Sequence, residues 1–264
     1  GTQIVQAYAY GKYLGELSVV FDDDGEIISA SGEPIIIDGS VNEDSQIVAR
    51  LDELEKPITS LKETLVGEVS SSLNGDRTIC RAQECDMGNM ITDAMRAAGM
   101  EKGYSIALAN SGGIRASLDA GQVTLGEIMT ILPFQNTMST FKVTGKQLLA
   151  AIENGVSQVE DGSGRFPQVS GMRFSFDSSK PANERVTSIE IEESNGSWSP
   201  LNLYGTYGMV SNNFIRGGGD GYKVFRSATD IYDFGPDLAD VIADFVRENP
   251  GYTGFTDNRI TQVK

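Results

Sequence analysis

Between residues 40 and 66 the chain carries one narrow apolar stripe. Ile47, Leu51, Leu54, Ile58, Leu61 and Leu65 recur every three or four residues on an otherwise charged segment. That spacing predicts an amphipathic helix buried along a single face. Pro57 lies inside it and is expected to kink or divide the helix, because its ring removes a backbone donor and crowds the preceding turn. A stripe this narrow, set between two strand-forming regions, reads as a connecting helix. It divides the 264 residues into a strand block at 1–39, a linker at 40–66 and a large region at 67–264.

The strand block is small. Residues 3–9 and 13–21 read as strands, the run Asp22-Asp23-Asp24-Gly25 as a hairpin turn, and residues 34–37 as a third strand. The acidic run lacks the alternating ligand spacing of a calcium loop. Three strands make too small a sheet to stand alone, which suggests the edge of a larger one. Gly1-Thr2 opens directly into this pattern without an initiator Met, so the chain reads as part of something longer.

Beyond residue 66, strand and helix patterns mix without regular alternation. Strands are expected at 67–73, 104–109, 138–143, 171–176, 186–191 and 204–210, with helices at 125–132 and 145–154. Met87, Met90, Ile91, Ala94, Met95 and Ala98 mark the buried face of another helix, with Asp86 near its cap and Gly99 at its end. Gly235-Pro236 is expected to start a final helix with Leu238, Val241, Ile242, Phe245 and Val246 inward. The fold class is therefore α+β, a mixed β-sheet with flanking helices.

The totals narrow the chemistry. A net charge of −16 disfavours nucleic acid and acidic membrane surfaces as partners, and no apolar run is long enough to span a membrane. There is no histidine, which excludes a Ser-His-Asp triad, a histidine base and a zinc site of the usual kind. Cys80 and Cys85 are the two cysteines. They could be inert thiols, but close spacing and an even count favour a disulfide in an oxidising compartment. Such a bond would fix the shape of the segment around Arg81.

Candidate binding residues sit on loops. Residues 212–222, NNFIRGGGDGY, carry Phe214 before a triple glycine and Asp220 after it. The turn is not a Walker phosphate loop, since no Lys-Ser/Thr pair follows the glycines. Asn110, Gly113 and Arg115 lie in NSGGIR at the end of a short strand, Phe134 and Asn136 follow Pro133, and Arg81 follows Cys80. Two rings can stack a base, an amide can read its edge, a carboxylate can hold ribose hydroxyls, and guanidiniums can clamp a phosphate. Each residue also has an ordinary reading as core Phe, turn Asn or surface Arg.

Taken in order, CRAQECDMGNMITDAM, ANSGGIRASLDAGQVTLGEIMTILPFQN, GRFPQVSGMRFSFD and NNFIRGGGDGY resemble the C-terminal domain of the 5′-nucleotidase family. The Cys-Arg-x-x-Glu-Cys spacing is most like the ecto-5′-nucleotidase branch. The opening IVQAYAYGKYLGELSVVFD is similar to the last strands of that family's N-terminal metallophosphatase domain, and residues 40–66 fall where the family has its interdomain helix.

The resemblance implies hydrolysis of nucleoside 5′-monophosphates such as AMP to nucleoside and phosphate, by a protein that is extracellular, cell-surface or periplasmic. Two divalent metal ions, zinc by expectation, would belong to the N-terminal domain and none to this chain. With the metal domain absent except for its tail, the chain alone would bind nucleotide without cleaving it. By matching motif, Phe134 and Phe214 would sandwich the base, Asn110 would contact it, Asp220 would hold the ribose, and Arg81 and Arg115 would reach ribose and phosphate. Gly113 and Asn136 complete the expected site. The alternatives are a nucleoside-binding module that never cleaves its ligand, and a related hydrolase of nucleotide sugars, dinucleotides or cyclic nucleotides.

Overall fold

The computed structural model describes residues 2–263. The chain forms two compact units that meet in sequence between Ile58 and Thr59. In the first unit four short strands, β1 (Tyr13–Gly15), β2 (Ser18–Phe21), β3 (Ile27–Ser31) and β4 (Pro34–Ile36), make two separate antiparallel ladders, β1 with β4 and β2 with β3. The β2–β3 turn is the acidic run, where the Asp22 carboxylate accepts from the backbone N–H groups of Asp24 and Glu26. Residues 3–9 form no strand, contrary to their pattern. Tyr8 takes a left-handed backbone, and no ladder pairs with the segment among the described residues.

Helix α1 (Ser45–Lys62) runs across the unit boundary as one continuous helix, so Pro57 does not divide it. None of its residues is buried, and the stripe Ile47, Leu51, Leu54, Ile58 and Leu61 stays about half exposed.

The second unit opens with β5 (Leu65–Val69), shorter at its far end than the pattern predicted, then α2 (Arg77–Cys80) and α3 (Asp86–Met100). Next come β6 (Ile106–Asn110), β7 (Gly121–Thr124), α4 (Leu125–Ile131), β8 (Met138–Thr144) and α5 (Gly145–Val156). Strands β9 (Pro167–Ser170), β10 (Met172–Phe176), β11 (Val186–Glu192), β12 (Trp198–Pro200) and β13 (Thr206–Asn212) follow. The chain closes with α6 (Asn213–Arg216), β14 (Thr229–Tyr232), α7 (Leu238–Glu248) and β15 (Ile260–Gln262). The final helix begins later than Gly235-Pro236 because Asp237 caps it, its carboxylate accepting from the Ala239 N–H.

The central sheet has the order β14-β8-β13-β6-β9, with β6 and β13 parallel and the other pairs antiparallel. Strand β6 is buried on both faces, and its period-two alternation sorts the core. Ala107 and Ala109 face the cluster built with α3, α4 and α7; Ile106 and Leu108 face the cluster shared with α5, β10 and β11. The small residues let α3 pack close to the sheet. On α3 itself Met87, Met90, Ile91, Ala94 and Met95 are buried as the spacing requires, whereas Ala98 is exposed in the last turn. A second sheet, β12-β11-β10-β15, packs Phe174, Phe176, Ile189 and Ile191 onto the second cluster. Thr124 with Glu127 and Thr144 with Gln147 form reciprocal capping boxes that start α4 and α5. Each cap stabilises its helix by about 1 kcal/mol.

Cys80 and Cys85 are joined in a disulfide with both residues buried. Gln168 on β9 holds the same loop: its amide N–H donates to the Cys80 and Gln83 carbonyls, and its oxygen accepts from the Cys85 N–H.

Candidate functional site

Strands β6 and β13 lie side by side and parallel, so their carboxyl ends meet at one edge of the central sheet. Each ends in asparagine, Asn110 and Asn212. Open-sheet proteins bind ligands at such carboxyl edges. Here the edge opens into a cleft of about 560 Å³.

All eight residues expected from the sequence line this cleft: Arg81, Asn110, Gly113, Arg115, Phe134, Asn136, Phe214 and Asp220. They come from the α2–α3 loop, the end of β6 and the turn after it, the α4–β8 loop, and α6 with the glycine turn that follows, so Asn110 and Phe214 sit in regular elements and not on the loops expected. Arg77, Gly112 and Gly164 line it too and were not anticipated. Arg77 precedes Arg81 by four residues, the spacing of one helical face, which is the signal that could have found it.

The two candidate rings are not core. Phe134 is 50% and Phe214 47% exposed, while Phe141, Phe166, Phe174, Phe176 and Phe225 are fully buried. The Phe214 ring lies over Gly219, where an added Cβ would come within 2.5 Å of the ring carbons. Gly218 beside it needs its left-handed φ of 94°. The triple glycine therefore serves this ring as well as the turn. The Arg115 guanidinium sits 4.8 Å from the centroid of the Phe134 ring, a cation–π contact that holds a flexible cation at the cleft wall. Gly113 has room for a side chain; the close approach falls on Gly112, whose N–H donates to the Gly164 carbonyl at 2.8 Å and whose Cβ position is 3.0 Å from the Gly164 Cα.

Charge in the cleft runs against that of the chain. Arg77, Arg81 and Arg115 face one carboxylate, Asp220. Burial, and then the neighbouring Arg115 and Arg77, push the Arg81 pKa below its ordinary value, with Asp220 acting the other way. One Arg81 nitrogen donates to the Gly162 carbonyl at 3.3 Å, and its buried Nε has no partner. A cation crowded by cations and short of acceptors attracts an anion. Asp220 in turn has one oxygen engaged, Oδ2 accepting from the Asn110 amide at 2.7 Å. Asn110 and Asp220 are thus in direct contact, which the sequence reading did not specify.

A family model described as 5′-nucleotidase, C-terminal domain, matches residues 62–227. The chain belongs to this family. Among the relatives of this 5′-nucleotidase domain, the trifunctional nucleotide phosphoesterase protein YfkN of Bacillus subtilis is 38% identical over 237 residues, covering 89% of this chain and 16% of that protein. Snake venom 5′-nucleotidase of Naja atra is 32% identical over 258 residues, covering 92% of this chain and 49% of the venom protein. In three dimensions the chain resembles a 5′-nucleotidase precursor from Thermus thermophilus with a TM-score of 0.78 and 39% identity, over 98% of this chain and 51% of that one. The chain spans about half the length of the venom and Thermus proteins. The α+β fold with mixed sheets agrees with the family's.

Proposed function

We propose that the cleft binds the substrate of a secreted or cell-surface 5′-nucleotidase, an enzyme that hydrolyses nucleoside 5′-monophosphates such as AMP. The observation that carries this reading is the convergence of eight residues from separate segments on one cleft. Phe134 and Phe214 stack the base between them, and Asn110 contacts it. Asp220 holds the ribose hydroxyls with its free oxygen. Arg81 and Arg115 take the phosphate, and Asn136 and Gly113 close the wall. The venom origin of one relative supports a protein that works outside the cell, in the extracellular space, at the cell surface or in the periplasm.

Among the described residues no group of three or more Cys, Asp or Glu side chains is placed to hold a metal ion. The two divalent ions that the family resemblance implies do not fit this chain and would be held elsewhere in the protein, in a metallophosphatase domain. This chain's share is to bind and orient. Purified alone, it is expected to release no phosphate from AMP with any divalent metal; metal-dependent release by a contaminant-free sample would overturn that division of labour.

Calorimetry with adenosine and AMP tests the binding reading. Arg81→Ala and Arg115→Ala are each expected to weaken AMP by roughly ten- to a hundredfold, the worth of about 1.5–3 kcal/mol for hydrogen bonds to a charged group. Adenosine should lose much less, and the AMP effect should shrink at high salt. Equal losses for both ligands would place the arginines away from the phosphate.

A second reading has its own support. A polar groove of about 420 Å³ continues from the same three arginines past Asp76, Thr78 and Ser117. It offers room beyond the phosphate for the larger ester group of a dinucleotide or nucleotide sugar. Tighter binding of such an ester than of AMP would favour it.

A further inference from the structure

Two amides link the carboxyl edge of the sheet to the candidate ribose carboxylate, and their polarity is fixed from both ends. The Ile215 backbone N–H can only donate, and it donates to Asn212 Oδ1 at 3.0 Å. Asn212 must then present Nδ2 to its other neighbour, and it donates to Asn110 Oδ1 at 2.9 Å. Asn110 in turn presents Nδ2, which donates to Asp220 Oδ2 at 2.7 Å. A carboxylate can only accept, so the chain ends as it must. Both asparagines are buried, and each amide is held at both of its ends.

From this relay we infer that Asn212, which lines a small hollow beside the cleft and not the cleft itself, is a positioning residue that holds the Asn110 amide in place and through it the direction of the Asp220 carboxylate. The inference rests on the substrate-binding reading of the cleft. Without the Asn212 donor, the Asn110 oxygen loses its buried partner, and the bond to Asp220 alone is left to hold the amide in place. Freed at that end, the amide can tilt, and the Asp220 carboxylate loses its fixed direction with it. The Asp220 backbone is itself constrained: it takes a left-handed φ of 49°, and its carbonyl accepts from Asn154 Nδ2 at 3.1 Å. A backbone held this firmly leaves the side-chain direction to the relay.

Asn212→Asp is the decisive variant. Aspartate caps a helix as well as asparagine does, so the Ile215 N–H keeps its acceptor; the buried carboxylate is expected to lower the thermal midpoint, and binding is read at a temperature and pH where the variant is folded and the carboxylate ionised. The new carboxylate cannot donate to Asn110. Adenosine affinity is expected to fall about tenfold, as for one hydrogen bond to a charged group. The preference for adenosine over 2′-deoxyadenosine should shrink with it, which a merely structural defect would not cause. Asn212→Ser, which keeps a capping oxygen but is too short to reach Asn110, should behave likewise if the aspartate variant fails to fold. Asp220→Asn serves as the control for the carboxylate. If Asp220→Asn loses affinity while Asn212→Asp and Asn212→Ser bind as the parent does, the relay is overturned and the site reading stands. If the parent binds no nucleoside, the site reading fails, and side-chain amide NMR judges the relay alone. Slow exchange of the Asn110 amide protons in the parent, lost in Asn212→Asp, supports it; fast exchange in both overturns it.

Discussion

Phe214→Ala is expected to weaken adenosine binding by roughly five- to a hundredfold, since losing one ring from a base stack costs about 1–3 kcal/mol. The fold should survive the change. The ring is 47% exposed, so the truncation gives up only part of the roughly 1.5–3 kcal/mol that full burial of a large apolar side chain is worth. It also opens no cavity, because what lies beneath the ring is the Gly219 backbone and not a packed side chain. Phe214 is the cleaner of the two rings to remove. Phe134 also seats the Arg115 guanidinium, so its loss would disturb the phosphate end together with the base. Calorimetry with adenosine, alongside thermal unfolding, reads both quantities. Unchanged affinity in a folded variant would show that no base stacks on this ring.

That both rings stand at the cleft was legible in the chain for a physical reason. Phe134 follows a proline in a loop, and Phe214 sits in the one-turn helix α6 just before the glycines, so neither lies within a long element where a ring would be packed in. The methionine stripe of α3 and the short buried strand β6 were legible because burial on one face imposes a period and burial on both imposes an unbroken apolar run. Strands β12, β14 and β15 carried no such signal. They are three or four residues long, mostly exposed, and exist only because a longer strand offers them hydrogen bonds. Residues 3–9 show the converse, a strand pattern with no strand. The cleft's polar wiring was equally hidden. Asn110 and Asn212 are 102 residues apart, and only the parallel pairing of β6 with β13 makes them neighbours. Gly112 and Gly164 meet for a similar tertiary reason, and a glycine in sequence does not say which backbone it must admit.

Away from the cleft, the largest loss of stability is expected at Arg259. This buried guanidinium donates twice to Asp93, at 2.7 and 3.0 Å, once to Asp257 at 2.8 Å and once to the Val169 carbonyl at 3.2 Å. It ties the C-terminal segment to α3 and β9. Burial lowers its pKa, but the bonds to Asp93 and the charges of Asp93 and Asp257 outweigh burial and leave it raised. Removing one partner of a buried pair costs about 3–5 kcal/mol, because the other charge is left without compensation. Asp93 keeps the Ser170 hydroxyl at 2.5 Å and some solvent contact, which puts the expected cost of Arg259→Ala near the lower end, about 3 kcal/mol. In a unit of this size that corresponds to a fall of roughly 6–12 °C in midpoint. Pairing the change with Asp93→Leu should cost less than the sum of the two single variants, since the stranded carboxylate is then gone. Adenosine affinity at temperatures where the variant is folded should match the parent, because neither residue lines the cleft. A loss below about 1 kcal/mol, the usual worth of an exposed pair, would mean that solvent screens this one and that the C-terminal segment is held by β15 pairing and its bonds to Glu84 and Asn89.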